Sequence, residues 1–557
     1  MRRTIIAFAI LLSSAFSALA EPPASPPKPV PNDEQELVFL QSARPYRLRL
    51  HLQIQGESYQ QQWNQIVEAL FKYLDADGNG VLSPAELEHA PSPDQLRGLI
   101  QGSTELEANP PPELAEVTDQ PKAGVTMAQL KSYYQRAGVA PWQAEWATRA
   151  RPPQELDDAI LKHWKIEPDG KIPKRVLQTA AQSLFQLDTD GDEMITPREL
   201  LTGNYFIPGF LIQGASKVKD FPFLMPDGSK IGRQQFAKQL LAKYDRNKDG
   251  KLTKDEIQLP PELFRALDRN GDQALDAAEV GAWLDLPPDL ELLVRLDAPE
   301  NEGVHVLTDS AGKPFPLAAR TKPSRIGSAL IQLPGEQLEL LRVAGTPVDR
   351  QQNVPLAILQ GIGDDFVIDN KQLFQPPFTM VAYFRLADRN GDNKLTGKEI
   401  RAFVELQKKL VIRSTVLTIV DRGANLFEFL DADHDRRLSR RELMTAWDRL
   451  APWVKPGADS FDINDLPHQY QIILSHGELR SPDEDPGSGK VIRAANRLRG
   501  PLWFRKMDRN ADGDVSRQEF LGTPEQFRLI DKDGDGLIDL KEAEQAGEIM
   551  KAKSKSK

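Results

Sequence analysis

The stretch FRLIDKDGDGLIDLKEAE, residues 527–544, gathers Asp531, Asp533, Asp535, Asp539 and Glu542 into a twelve-residue window. Like charges this close repel, so a folded chain avoids them unless something offsets the repulsion. The crowding is ordered. The acids stand at positions 1, 3, 5, 9 and 12 of the window, with Gly536 at 6 and Ile538 at 8. Side chains at 1, 3 and 5, a backbone carbonyl at 7, position 9 (often through water) and a bidentate Glu at 12 encircle one hard divalent cation. Gly at 6 allows a sharp turn with positive φ. A bound cation would supply the missing positive charge.

The spacing occurs eight times. Position 1 is always Asp, position 12 always Glu, and positions 3 and 5 are always Asp or Asn. Position 8 is always aliphatic: Leu82, Ile195, Leu252, Leu275, Leu395, Leu438, Val515 and Ile538. Surface charge arising at random has no such register. Position 9 stands three residues before the Glu, which is also the capping-box spacing for an exiting helix. Pro84 and Pro197 then fall at the first helical position, where a missing N–H costs little. Before Asp75, the residues Trp63, Ile66, Val67, Leu70, Phe71 and Leu74 recur at helical spacing and read as core.

These loops resemble those of the EF-hand calcium-binding superfamily, and the layout is similar to that of large secreted bacterial proteins with many EF-hands. The resemblance covers the eight loops and their flanking helices, and it implies Ca²⁺ as cofactor and a ligand set for each loop. That set is Asp75, Asp77, Asn79, Val81, Ser83 and Glu86 in the first loop, and Asp188, Asp190, Asp192, Met194, Thr196 and Glu199 in the second. The third and fourth use Asp245, Asn247, Asp249, Lys251, Thr253 and Glu256, then Asp268, Asn270, Asp272, Ala274, Asp276 and Glu279. The fifth and sixth use Asp388, Asn390, Asp392, Lys394, Thr396 and Glu399, then Asp431, Asp433, Asp435, Arg437, Ser439 and Glu442. The last two use Asp508, Asn510, Asp512, Asp514, Ser516 and Glu519, then Asp531, Asp533, Asp535, Leu537, Asp539 and Glu542.

Position 6 departs from Gly in four loops, at Glu193, Gln273, Asn393 and Arg436. Asn tolerates the left-handed conformation, whereas Glu, Gln and Arg lose about 1 kcal/mol there. Weaker calcium binding is therefore expected at the loops starting at Asp188, Asp268 and Asp431, most of all the last. His434, at position 4, is expected to face solvent.

Such hands usually pair through position 8. Asp268 follows Asp245 by 23 residues, and Asp531 follows Asp508 by 23. The same step back from Asp188 reaches Lys165, where KIEPDGKIPKRV keeps Gly170 and Ile172 but lacks the ligands. It reads as a metal-free partner hand, and TDQPKAGVTMAQ from Thr118, with Val125 at position 8, as a second. The expected fold class is mainly α, built of tandem EF-hand pairs with small β-rich elements near the N-terminus and in the middle of the chain. The expected order is a signal peptide (1–20), a Pro-rich linker (21–36), a strand with the first hand (37–150) and hand pairs at 151–205 and 206–289. A β-rich insert (290–375), a hand pair (376–457), a connector (458–500), a last pair (501–546) and a basic, disordered tail (547–557) follow. In the strand RLRLHLQIQ, Leu48, Leu50, Leu52 and Ile54 face one way, which implies a half-buried strand.

The chain has 557 residues, 40% hydrophobic and 27% charged, with a formal net charge of -11. That is a globular composition whose acidity argues against a nucleic-acid partner. The start, with Arg2, Arg3, an apolar run and Ala18-Leu19-Ala20, reads as a secretory signal cut after Ala20, giving a secreted or periplasmic bacterial protein with no membrane span after cleavage. There is no Cys, hence no disulfide framework and no thiol nucleophile. No G-x-S-x-G, P-loop or H-E-x-x-H motif occurs. His468 and His476, eight residues apart, are a weak second metal candidate. With only eight Met and no Met cluster, a calmodulin-like sensor groove is disfavoured. The expected function is a non-enzymatic, calcium-loaded protein whose calcium supports an interaction role, with another protein or a cell-surface component as partner. A calcium buffer or calcium-responsive surface protein is one alternative, and a calcium-dependent enzyme with its site in the insert is another.

Overall fold

The structure is a computed structural model. It describes residues 29–30, 33–101, 109–118, 124–137, 139, 142–148, 154–167, 170–201, 213–214, 222–226, 229–298, 303–323, 328–342, 367–369, 381–413, 415–475 and 500–555. The signal-peptide reading, most of the linker and His476 lie outside these residues.

Eight strands carry two large sheets: β1 (Glu34–Leu40), β2 (Pro45–Ile54), β3 (Trp142–Thr148), β4 (Leu290–Arg295), β5 (Ala329–Leu333), β6 (Glu336–Arg342), β7 (Thr415–Gly423) and β8 (His468–Ser475). In the first sheet, of six strands, β2 lies between β1, antiparallel, and β4, parallel. In the second, of seven strands, the order β5-β6-β8-β7-β3 places β6 parallel to β8 and β3 parallel to β7. Leu48 and Leu50 of the first sheet and Leu340, Ile419 and Ile472 of the second belong to one apolar core, so the sheets pack on each other. The expectation of a mainly α chain of tandem hand pairs is thereby corrected to a mixed α and β architecture with two large sheets. Strands far apart in sequence close these sheets by parallel pairing, which period-2 patterning identifies strand by strand but does not match to partners.

Two local readings change with it. Among the described residues of the 290–375 stretch, the long strands are shared with remote segments: β4 completes the N-terminal sheet and β6 pairs with β8. The strand β2 is not half-buried. Its apolar side enters the core, and Arg47, His51 and Gln53 on the other side are buried too, among Asp33, Glu36 and Glu291. The last helix, Leu540–Lys555, runs through the basic residues read as disordered.

Helix α1 (Tyr59–Leu74) shows how a hand is seated. Ser58 caps it by accepting from the Gln61 N–H, and Trp63, Ile66, Val67, Leu70, Phe71 and Leu74 form its buried stripe. That stripe packs with Phe384, Phe403 and Leu410, so the hand at Asp75 and the hand at Asp388 share a core. Likewise residues from Leu156 to Leu200 share a core with residues from Leu426 to Leu466. The hands at Asp245 and Asp268 form a third core with Val38 and Leu40 of β1, and the last two hands form one from their own residues.

Candidate metal centres

All eight loops share one hydrogen-bond skeleton. The Asp at position 1 accepts from the N–H of position 6: Gly80, Glu193, Gly250, Gln273, Asn393, Arg436, Gly513 and Gly536 donate at 2.8 to 3.2 Å. Position 3 accepts from the N–H of position 5, and position 5 from that of position 7, as in Asp533 with Asp535 at 3.1 Å and Asp535 with Leu537 at 2.8 Å. The Glu at 12 accepts from the N–H of position 9, as Glu442 does from Ser439 at 2.8 Å. These bonds turn the oxygens of positions 1, 3, 5 and 12 inward, and each retains lone-pair capacity for a cation.

The oxygens fit a hard ion. In the four loops with Asp at position 3, three carboxylate oxygens lie within 4.8 Å of one another: Asp75, Asp77 and Glu86; Asp188, Asp190 and Glu199; Asp431, Asp433 and Glu442; Asp531, Asp533 and Asp535. In the other four, Asn247, Asn270, Asn390 and Asn510 place an amide at position 3. Five position-9 hydroxyls are engaged in the helix cap: Ser83, Thr196, Thr253, Thr396 and Ser439 donate to their own Glu at 2.8 to 2.9 Å. Ser516 donates instead to Glu193 of another loop.

Position 6 has positive φ in every loop, including Glu193, Gln273, Asn393 and Arg436. Position 4 does as well, which the sequence reading missed: Gly78, Gly191, Lys248, Gly271, Gly391, His434, Ala511 and Gly534. Most loops place Gly at one of the two positions or at both. The loop at Asp431 has it at neither, with His434 and Arg436 both left-handed. His434 does not face solvent. It is buried, with Nε2 3.3 Å from a Glu339 oxygen and Nδ1 3.7 Å from Glu428.

The strand contacts through position 8 correct two of the expected pairs. Leu252 faces Leu275 and Val515 faces Ile538. Ile195, however, faces Leu438, so the hand at Asp188 pairs with the hand at Asp431 and not with its neighbour at Lys165. Ile172 of that neighbour faces Phe461. Leu395 faces Ile368, not Leu438, and Leu82 bridges Val125. Ile368 and Phe461 stand in stretches with no calcium ligands, so ligand spacing gives no sign of them.

Electrostatics separate the loops. Burial, together with the Glu442, Asp433 and Asp435 charges, pushes the Asp431 carboxyl well above its ordinary value. Burial and Glu519 push Asp508 up to about 7, and burial with Asp514 and Asp508 raises Asp512 strongly. These carboxyls are crowded in a way that a divalent cation relieves. By contrast Glu256, in an exposed loop, is lowered by the Thr253 backbone N–H, and Asp272 is lowered by Lys251 at 2.5 Å. The other histidine candidate, His468, is paired with Asp421 at 2.6 Å.

An EF hand family model matches residues 66–89, 237–259, 380–404, 502–521 and 525–542. Those stretches contain the loops starting at Asp75, Asp245, Asp388, Asp508 and Asp531. The three loops outside them carry Glu193, Gln273 and Arg436 at position 6. No curated protein and no solved structure matches the chain. Among the described residues, no helix is long and apolar enough to cross a membrane. On these matches and the shared loop skeleton, the matched stretches are EF-hands of the calcium-binding superfamily, and Ca²⁺ is the ion such hands bind.

Proposed function

We propose that this is an exported protein whose calcium ions are structural, holding remote segments together so that the chain presents a fixed surface to a partner. In this reading it is neither a sensor nor an enzyme. The observation that carries the reading is the loop at Asp431. It pairs by strand with the loop at Asp188 and reaches the loops at Asp508 and Asp531 through Arg437 and Arg441. A cation there would act at a joint of the fold rather than at a free surface.

The N-terminal segment, read as a secretory leader, favours a secreted or periplasmic bacterial setting. Extracellular modules of this class work with dissociation constants of about 0.1–1 mM, so such sites stay filled where calcium is abundant. Calcium titration of the mature chain by calorimetry, with thermal melts before and after chelation, tests the reading. Uptake of about six to eight ions with a large loss of melting temperature on chelation is the expected result. Uptake with an unchanged melt would favour a buffer.

A further inference from the structure

The last two hands, residues 501–546, have an apolar core of their own, built from Phe504, Val515, Phe527, Ile530 and Ile538. The polar contacts that tie them to the joined hands at Asp188 and Asp431 run between calcium loops. Arg437, gripped by Asp435 of its own loop at 2.7 and 2.8 Å, donates to the Asn510 carbonyl at 3.0 Å. Arg441 donates at 2.8 Å to Asp514 and at 2.8 Å to Asp535, one residue from each of the last two loops. In return, the Asn510 side-chain amide donates to the Asp192 carbonyl at 3.1 Å, and Ser516 to Glu193. Arg440 reaches Glu193 at 3.5 Å.

Four clusters of carboxylates therefore meet across one interface, with Arg437, Arg440 and Arg441 between them. Without cations their repulsion opposes docking. With calcium in each loop the repulsion is offset, and Asp435 and Asp535 are fixed where the arginines meet them. Two equilibria that favour each other in this way are reciprocally linked.

We propose that residues 501–546 form a calcium-dependent docking module, latched by Arg437 and Arg441 onto the paired hands at Asp188 and Asp431, so that docking and calcium binding at these four loops are one coupled equilibrium. The inference rests on calcium filling the loops and adds to it an intramolecular latch.

The chain has no native Cys, so spin labels can be placed at Gln182→Cys and Glu544→Cys in the full-length protein. Pulsed electron resonance then reads the distance between them in calcium and after chelation, with calorimetry on the same samples. The expected result is one narrow distance in calcium that broadens on chelation. Arg437→Gln with Arg441→Gln should broaden it even in saturating calcium and weaken binding at these loops about five-fold or more. A narrow distance that survives chelation, with calorimetry showing calcium removed, would overturn the latch. So would unchanged or tighter calcium binding in the double variant, since the arginines would then be bystanders or competitors. Absence of calcium uptake would instead sink the underlying reading of the loops, and the latch with it.

Discussion

The hands at Asp245 and Asp268 and those at Asp188 and Asp431 use the same loop skeleton and the same position-8 contact, yet they differ in reach. In the first pair the cross-loop ion pair, Lys251 with Asp272, joins residues 21 apart in sequence, with both side chains well exposed. In the second, Arg440 and Glu193 are 247 residues apart, and Asp431, Asp435 and Glu442 are buried. A local pair that loses its ions loosens itself. A joint that loses them leaves buried carboxyls facing each other and two remote segments without their common anchor. The same motif is thus a peripheral feature in one place and a fastening in the other.

The sharpest way to break this contrast is by charge. Arg422, 2% exposed, pairs with buried Glu428 at 3.2 Å and also bonds Gln471, directly before the joint loop. Arg422→Ala should cost about 3–5 kcal/mol in denaturant unfolding, because it strands a buried carboxylate. Arg233 pairs with exposed Asp285 in the local pair, and Arg233→Ala should cost about 1 kcal/mol or less. Equal costs would erase the distinction.

Truncation of the strand contact is the next test. Leu438→Ala and Leu252→Ala each remove a fully buried side chain and should each cost about 2–5 kcal/mol. Their footprints should differ in hydrogen exchange. Leu438→Ala should expose amides on both sides of the joint, from Leu156 to Leu200 as well as from Leu426 to Leu466, since these share one core. Leu252→Ala should stay within its own pair and the adjoining part of β1.

A control away from calcium uses pH. Burial alone would lower the His51 pKa, but the hydrogen bond to Asp33 and the Glu291 carboxylate 3.6 Å away override it and raise it from 6.5 to about 9. The folded state therefore favours the protonated ring. Its contribution is complete below pH 6.5 and is lost as pH rises through about 9. His51→Gln should flatten stability over that window without altering calcium stoichiometry, as followed by melts at stepped pH.

The smallest expected effects are at the left-handed positions. Gly80→Ala, at φ 84°, should cost about 1–2 kcal/mol. Gln273→Gly should gain less than about 1 kcal/mol, because the freedom of Gly in the unfolded chain offsets part of the relief. Melts and calcium titrations of both variants measure this.

The loops were legible in sequence because ligand geometry constrains residue type at five of twelve positions (1, 3, 5, 9 and 12), so register survives without any knowledge of the fold. Position 6 was expected from the general loop pattern, whereas position 4 was passed over although it holds Gly in five loops, one more than position 6. Pairing was readable for the two compact pairs 23 residues apart and for the ligand-poor stretch from Thr118, whose Val125 meets Leu82, but the same step of 23 back from Asp188 pointed to the wrong partner. The contact of Ile195 with Leu438 depends on two remote stretches sharing a core, which neither periodicity nor spacing encodes. The two sheets escaped for a similar cause. Leu48, Leu50 and Leu52 announce a strand, but nothing local says that Leu290, Leu292 and Val294 lie parallel beside them. Arg437, Arg440 and Arg441 stood in plain view within a loop read for its acids, and their role emerges only when the last two hands are placed against them.

Hydrogen exchange of the whole chain in saturating calcium and after chelation tests the central claim most directly. The account predicts that chelation strips protection first and most deeply from the segments around Asp188, Asp431, Asp508 and Asp531, with a smaller loss around Asp245 and Asp268. A uniform loss, or protection retained at the joint while the peripheral pair opens, would contradict it.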